Sequence, residues 1–137
     1  MSPVSAGSES THCALILVVE DEPVILEFLC EILQQEGFAT EAKNSADEAL
    51  EFLDRYAEKV CLLLTDITMP GSLNGAALAN LSGSRWPSIP ILIMSGLETP
   101  ESSGVTHPVS FIRKPWAIGQ MLDCVNNAMK LPSCGVE

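Results

Sequence analysis

Five side chains that can do chemistry stand at the ends of short apolar runs. Glu20 and Asp21 follow Ala14–Val19, Asp66 closes Cys61–Thr65, Ser95 follows Ile91–Met94, and Lys114 follows Phe111-Ile112-Arg113. Three carboxylates brought together repel one another unless a divalent cation sits between them. Oxygen-only ligands suit Mg²⁺, with Mn²⁺ as an alternative; such an ion keeps several waters and takes few carboxylates plus a phosphate. A lysine is a compact positive charge for phosphate oxygens. Carboxylates, a lysine and a hydroxyl together are the parts of a phosphoryl-transfer site, and one carboxylate can be the nucleophile that accepts the group. Asp66 is best placed for that role, because a central strand would set it between the acidic pair and the lysine. Taken singly, each residue has an ordinary reading. Asp66 could cap a turn, Glu20–Glu22 could be a solvated cluster at a helix start, and Ser95-Gly96 is a common turn pair.

The elements that must position these groups can be read from apolar spacing. Ala14–Val19 is continuous and rich in branched residues, as a buried parallel strand would be. Pro23 suits the first turn of a helix, and Ile25, Leu26, Leu29, Ile32 and Leu33 then recur at three and four until Gly37. Phe38–Ala42 is a short second strand. Asn44 or Ser45 can cap the next helix, with Asp47 and Glu48 in its first turn and Ala46, Ala49, Leu50 and Leu53 on its apolar face. Cys61–Asp66 is the third strand, closed by Pro70. A loop to Gly75 leads into a modest Ala/Leu helix from Ala76 to Leu81 or a little beyond. Ile91–Met94 is the fourth strand. Leu97–Pro108 holds two prolines, a glycine and many Ser/Thr, room for one or two helical turns near Thr99 or Pro100 rather than a full helix. Val109–Ile112 is a brief fifth strand. A final amphipathic helix carries Ile118, Met121, Leu122, Val125 and Met129 and stops at Pro132. Strands alternating with helices call for a parallel sheet covered on both faces, whose carboxyl ends share one edge. The reactive groups then converge without any further assumption.

Composition narrows the function classes. The 137 residues suffice for one domain with its own core. A net charge of −11, from 18 acidic and 7 basic residues, argues against direct nucleic-acid binding, because phosphate backbones want Lys and Arg patches. The five cysteines include no CxxC pair, so neither a zinc knuckle nor a redox pair is supported, and a reducing compartment fits best. Cys30, Cys61 and Cys124 read as small core residues, and His12 and His107 as isolated in polar loops. No run approaches membrane-spanning length and no signal pattern opens the chain, so the expectation is a cytoplasmic protein without membrane insertion. Residues 1–12 read as a flexible tail, 13–131 as the folded domain and 132–137 as a short second tail.

Four stretches carry a resemblance. Val18-Val19-Glu20-Asp21-Glu22-Pro23, Leu64-Thr65-Asp66-Ile67-Thr68-Met69-Pro70, Ile93-Met94-Ser95-Gly96 and Phe111-Ile112-Arg113-Lys114-Pro115-Trp116 resemble, in order, the four signatures of a response-regulator receiver domain of two-component signalling. The resemblance runs from about Leu15 to Met129. It implies a flavodoxin-like, doubly wound (βα)5 fold with a parallel sheet in the order 2-1-3-4-5. It implies Asp66 as phosphoryl acceptor, and Glu20, Asp21, Asp66 and the backbone carbonyl of Thr68 as Mg²⁺ ligands. Lys114 is implied to pair with the acidic cluster and then with the phosphoryl group, with a cis bond between Lys114 and Pro115. Ser95 and Phe111 are implied as switch residues, with a plain core role as the lesser reading of Phe111, and Thr68 and Leu97 as residues that tune water access and hence the lifetime of the acyl phosphate.

The resemblance further implies a sensor histidine kinase or a histidine phosphotransfer protein as donor. Self-phosphorylation and autodephosphorylation would replace conventional enzymatic turnover. With no output module visible, the expectation is a stand-alone regulator, phosphate shuttle or phosphate sink that signals through an unknown protein target, as a monomer or weak dimer. The alternative is a phosphorylation-independent adaptor. Two departures from the family pattern stand out: Gly75 falls one residue late, and the segment between Ser95 and Lys114 is short and poor in helix formers, which puts a dimer through that face in doubt.

Overall fold

The computed structural model describes residues 15–67, 74–96 and 104–130. Five parallel strands form one sheet: β1 (Leu15–Val19), β2 (Ala39–Lys43), β3 (Val60–Asp66), β4 (Ile91–Ser95) and β5 (Ser110–Arg113). Their spatial order is β2-β1-β3-β4-β5, the doubly wound arrangement with its reversal between β1 and β3. Among the described residues four α-helices cover it: α1 (Pro23–Gln35), α2 (Ala46–Tyr56), α3 (Gly75–Arg85) and α4 (Ile118–Lys130).

The two-residue alternation of a strand splits the core in two. Ile16, Val18, Leu62, Leu64, Leu92 and Met94 point to the face covered by α1 and α4, where Leu29, Leu33, Met121 and Val125 meet them. Leu17, Val19, Leu63 and Ile93 point to the other face, against Ala49 and Leu53 of α2 and Leu78 and Ala79 of α3. Because β1, β3 and β4 are buried on both sides, their sequences are continuously apolar instead of alternating. The edge strand β2, Ala-Thr-Glu-Ala-Lys, is half exposed and carries the Glu41–Lys43 ion pair at 3.3 Å, charges that discourage pairing with another chain.

Local chemistry sets the boundaries. Pro23 occupies the first turn of α1. Gly37, at φ 97°, closes that helix: its amide donates to the Gln34 carbonyl at 3.0 Å, and the Phe38 amide to that of Leu33 at 3.1 Å. Of the two candidate caps for α2, Ser45 accepts from the Glu48 amide at 3.1 Å. Asn74 caps α3 through the Ala77 amide at 2.9 Å, and this helix runs on to Arg85, a full turn beyond the Ala/Leu core that announced it. A register shift at the start of the β1–β3 pair sets Val60 opposite Leu15 and Leu62 opposite Ile16; at the intervening Cys61 the thiol donates to the Leu15 carbonyl at 3.2 Å. Cys30, Cys61 and Cys124 are half-buried thiols at the rim of the core, not inside it. Between β4 and β5, residues 104–109 are not helical, and the turns expected near Thr99 and Pro100 lie outside the described residues.

Candidate functional site

The carboxyl ends of β1, β3, β4 and β5 bring the reactive groups together. Glu20 directly follows β1 and Asp66 ends β3, and despite their charge they are 1% and 5% exposed. The Glu20 carboxylate is held by the backbone: its Oε2 accepts from the Glu22 amide at 3.1 Å, just ahead of the α1 N-terminus, whose dipole favours negative charge. Its main chain is tied to the sheet through the Lys43 carbonyl at 3.1 Å. Its other oxygen, Oε1, is buried and has no hydrogen-bond partner among the described residues. Burial, followed by repulsion from Asp66, pushes the Glu20 carboxyl up to about 7.

Ligand oxygens of Glu20, Asp21 and Asp66 lie within 4.8 Å of one another. The donor set is all oxygen, it is negatively charged, and one buried oxygen lacks a hydrogen-bond partner among the described residues. These residues fit a hard divalent cation. Opposite them, Lys114 Nζ sits 3.0 Å from Asp66 Oδ2, an ion pair with the carboxylate buried and the ammonium about one-third exposed. The Lys114 amide donates to the Ser95 carbonyl at 2.7 Å, which ties the lysine to the end of β4. Ser95 itself is buried, and the Lys114–Pro115 bond is cis. Phe111 is half-buried against the core face that holds α3. Thr68 and Leu97 lie outside the described residues.

Gly75 explains why the loop after Asp66 must end in glycine. A Cβ there would collide with the Asp66 carbonyl oxygen and come within 2.7 Å of Ile67 Cα, while the Gly75 amide donates to the Ile67 carbonyl at 2.9 Å. The first turn of α3 thus rests on the main chain of the acceptor candidate.

Sequence reasoning missed a second polar cluster. The Asn80 side chain of α3 binds residues 104–107, and the His107 ring lies against Gly83, so this histidine is packed and not isolated. The only signal in the chain was an Asn and a Gly within an otherwise Ala/Leu-type helix.

Comparison with known proteins agrees with the geometry. Residues 16–126 match the family model of the response regulator receiver domain. A response regulator receiver protein of an Anaeromyxobacter species is 34% identical over 107 residues, 78% of this chain and 42% of that protein. The nitrogen assimilation regulatory protein NtrX of Azorhizobium caulinodans is 29% identical over 119 residues, 84% of this chain and 26% of that one. Among solved structures, the receiver domain of NtrX from Brucella abortus superposes with a TM-score of 0.73 at 30% identity, covering 84% of this chain and 98% of that one. The chain belongs to the response regulator receiver domain family. Its function is that of a phospho-accepting receiver, and the Glu20, Asp21 and Asp66 cluster is consistent with the accepting site. The chain spans only part of the curated relatives it matches, 50% of the length of one and as little as 16% of others. No helix among the described residues is long and apolar enough to cross a membrane.

Proposed function

We propose that this receiver takes a phosphoryl group from a phosphohistidine onto Asp66 and signals by altered protein binding. The observation that carries the reading is the Asp66 carboxylate, buried between the Lys114 ammonium at 3.0 Å and the two acidic side chains that crowd it. Its nucleophilic oxygen forms the new O–P bond as the N–P bond to the donor imidazole breaks. The imidazole nitrogen keeps the electron pair and is protonated. Lys114, already paired with Asp66, follows the charge onto the phosphoryl oxygens as they arrive. Glu20, Asp21, Asp66 and the Thr68 carbonyl are the residues that would hold Mg²⁺ or Mn²⁺, which when bound offsets the charge repulsion between carboxylates and phosphoryl oxygens. Ser95 and Phe111 are the switch pair through which the phosphorylated state is favoured. Thr68 and Leu97 set how readily water reaches the acyl phosphate, whose hydrolysis returns the carboxylate and inorganic phosphate.

A protein donor, either a sensor histidine kinase or a histidine phosphotransfer protein, fits the surface beside the site. Val24 is 76% and Phe28 41% exposed on α1, the helix that begins three residues after Glu20. Phe28 stacks on Trp116, two residues beyond Lys114, with ring centroids 6.3 Å apart. Such a patch at the mouth of the site suits docking of an apolar protein face. The test is the intact mass after incubation with Mg²⁺ and acetyl phosphate. One added phosphate on the wild type and none on Asp66→Asn supports the reading. No phosphate on either protein, with Mg²⁺ binding also absent, would replace it with a phosphorylation-independent adaptor.

A further inference from the structure

Residues 104–107, just ahead of β5, are hydrogen-bonded to α3 through the Asn80 side chain. Asn80 Oδ1 accepts from the Thr106 amide at 2.7 Å, the Thr106 hydroxyl at 3.1 Å and the His107 amide at 3.3 Å, while its Nδ2 donates to the Gly104 carbonyl at 3.0 Å. Two backbone N–H donors on one side and a carbonyl on the other leave the amide a single orientation. The His107 ring rests against Gly83 one turn further along α3, where any Cβ would collide with it. Val105 and Val109 pack onto the same core face as Ala76 and Ala79 of α3. This segment leads directly into β5, and β5 into Lys114. The other end of α3 rests on the Asp66 and Ile67 main chain through Gly75. Contacts therefore close a ring: Asp66, the first turn of α3, Asn80, residues 104–107, β5, Lys114, and the ion pair back to Asp66.

We propose that Asn80 is a positioning residue for the phospho-accepting site, acting through residues 104–107 and β5 on Lys114. Asn80 touches none of the reacting atoms. It fixes where β5 starts, and so how the Lys114 ammonium meets Asp66. Its effect on phosphoryl transfer rests on the reading of Asp66 as acceptor, whereas its effect on the Lys114 backbone does not.

The test uses the full chain with Asn80→Ala, Asn80→Asp and Gly83→Ala. Asp keeps the acceptor for three of the four bonds; Gly83→Ala leaves Asn80 in place but displaces His107. Amide hydrogen exchange at Thr106, His107 and Lys114 is read alongside the rate of phosphate uptake from acetyl phosphate with Mg²⁺. Losing the acceptor is expected to speed exchange at Thr106 and His107 on the order of tenfold. In Asn80→Ala the faster exchange extends to the Lys114 amide and phosphate uptake slows several-fold, while Asn80→Asp, which keeps the acceptor but sets a carboxylate oxygen against the Gly104 carbonyl, stays closer to wild type than Asn80→Ala in both readouts. In Gly83→Ala both readouts move in the same direction as in Asn80→Ala, and His107→Ala in that background restores them. A merely structural role would lower the melting temperature without moving the Lys114 amide. Uptake by Asn80→Ala at the wild-type rate, or an unchanged Lys114 amide beside a loosened loop, overturns the proposal. If Asn80→Ala fails to fold, Gly83→Ala decides by the same two readouts. If the wild type takes up no phosphate, the acceptor reading fails instead, and Lys114 exchange alone decides whether Asn80 positions the lysine.

Discussion

With one oxygen bonded to the Glu22 amide and the other buried with no partner among the described residues, Glu20 is a carboxylate whose environment asks for a positive charge. Its carboxyl is raised from 4.5 to about 7, first by burial and then by Asp66. In the metal-free protein the sign of the linkage follows directly. Below pH 4.5 Glu20 is protonated in folded and unfolded chains alike. Between 4.5 and about 7 the folded chain keeps a proton that the unfolded chain has released, so stability falls as pH rises, and above about 7 the loss is complete. In the presence of a chelator, Glu20→Gln is expected to be more stable than wild type at pH 8 and to differ little at pH 5. Thermal melts at the two values check this, and an equal gap at both would remove Glu20 as the source. A divalent cation competes with that proton, so Mg²⁺ affinity of the wild type should climb through pH 7, measurable by titration calorimetry.

At the scale of elements, the glycines of α3 do opposite work to glycine in an ordinary helix. Gly→Ala in a helix interior usually stabilises by about 1 kcal/mol. At Gly75 the new methyl would instead press on the Asp66 carbonyl and Ile67 Cα, main-chain atoms that cannot rotate away. Gly75→Ala should therefore cost about 1–3 kcal/mol, read from urea unfolding, and slow phosphate uptake because the acceptor's own backbone must move. A stabilised, fully active variant would show that the α3 start can shift freely. This is also where legibility in the sequence ran out. Glu20, Asp66, Ser95 and Lys114 could be read because each ends or follows an apolar run, and parallel strands deliver run ends to one edge whatever the side chains between them do. The caps, Ser45 for α2 and Gly37 for α1, could be read because they are local. Asn80 could not. Its partners lie 24 to 27 residues downstream, in a segment with no period, and asparagine in a helix carries no spacing signal of its own. The bulge at Cys61 was hidden for the same reason, since a register shift belongs to the pair of strands and to neither one alone.

For the molecule as a whole, the site and the apolar patch beside it separate two properties that a small phosphodonor and a protein donor probe differently. Val24 and Phe28 are exposed on α1, Phe28 stacks on Trp116, and none of the three is a partner in the Asp66–Lys114 ion pair. Phe28→Ser is expected to leave phosphate uptake from acetyl phosphate within about twofold of wild type. It should slow transfer from a phosphohistidine protein on the order of tenfold or more, as loss of an aromatic anchor commonly does. Parallel time courses with the two donors make the comparison, and equal slowing with both would return Phe28 to a purely structural place.

The order of the sheet has a consequence for how the protein comes to exist in a cell. Glu20 and Lys114 approach the same aspartate from opposite flanks, so β1 must be paired with β3 on one side, and β5 joined to it through β4 on the other, before any chemistry is available. Contacts of such long separation form late, after the closure of long loops has been offset by burial of the core. A chain still emerging from the ribosome, or one clipped before β5, can hold the acidic pair and the aspartate yet lacks the lysine that completes them. Competence to receive a signal is thereby reserved for the finished molecule, and labelling with a phosphodonor becomes an assay of assembly as much as of chemistry.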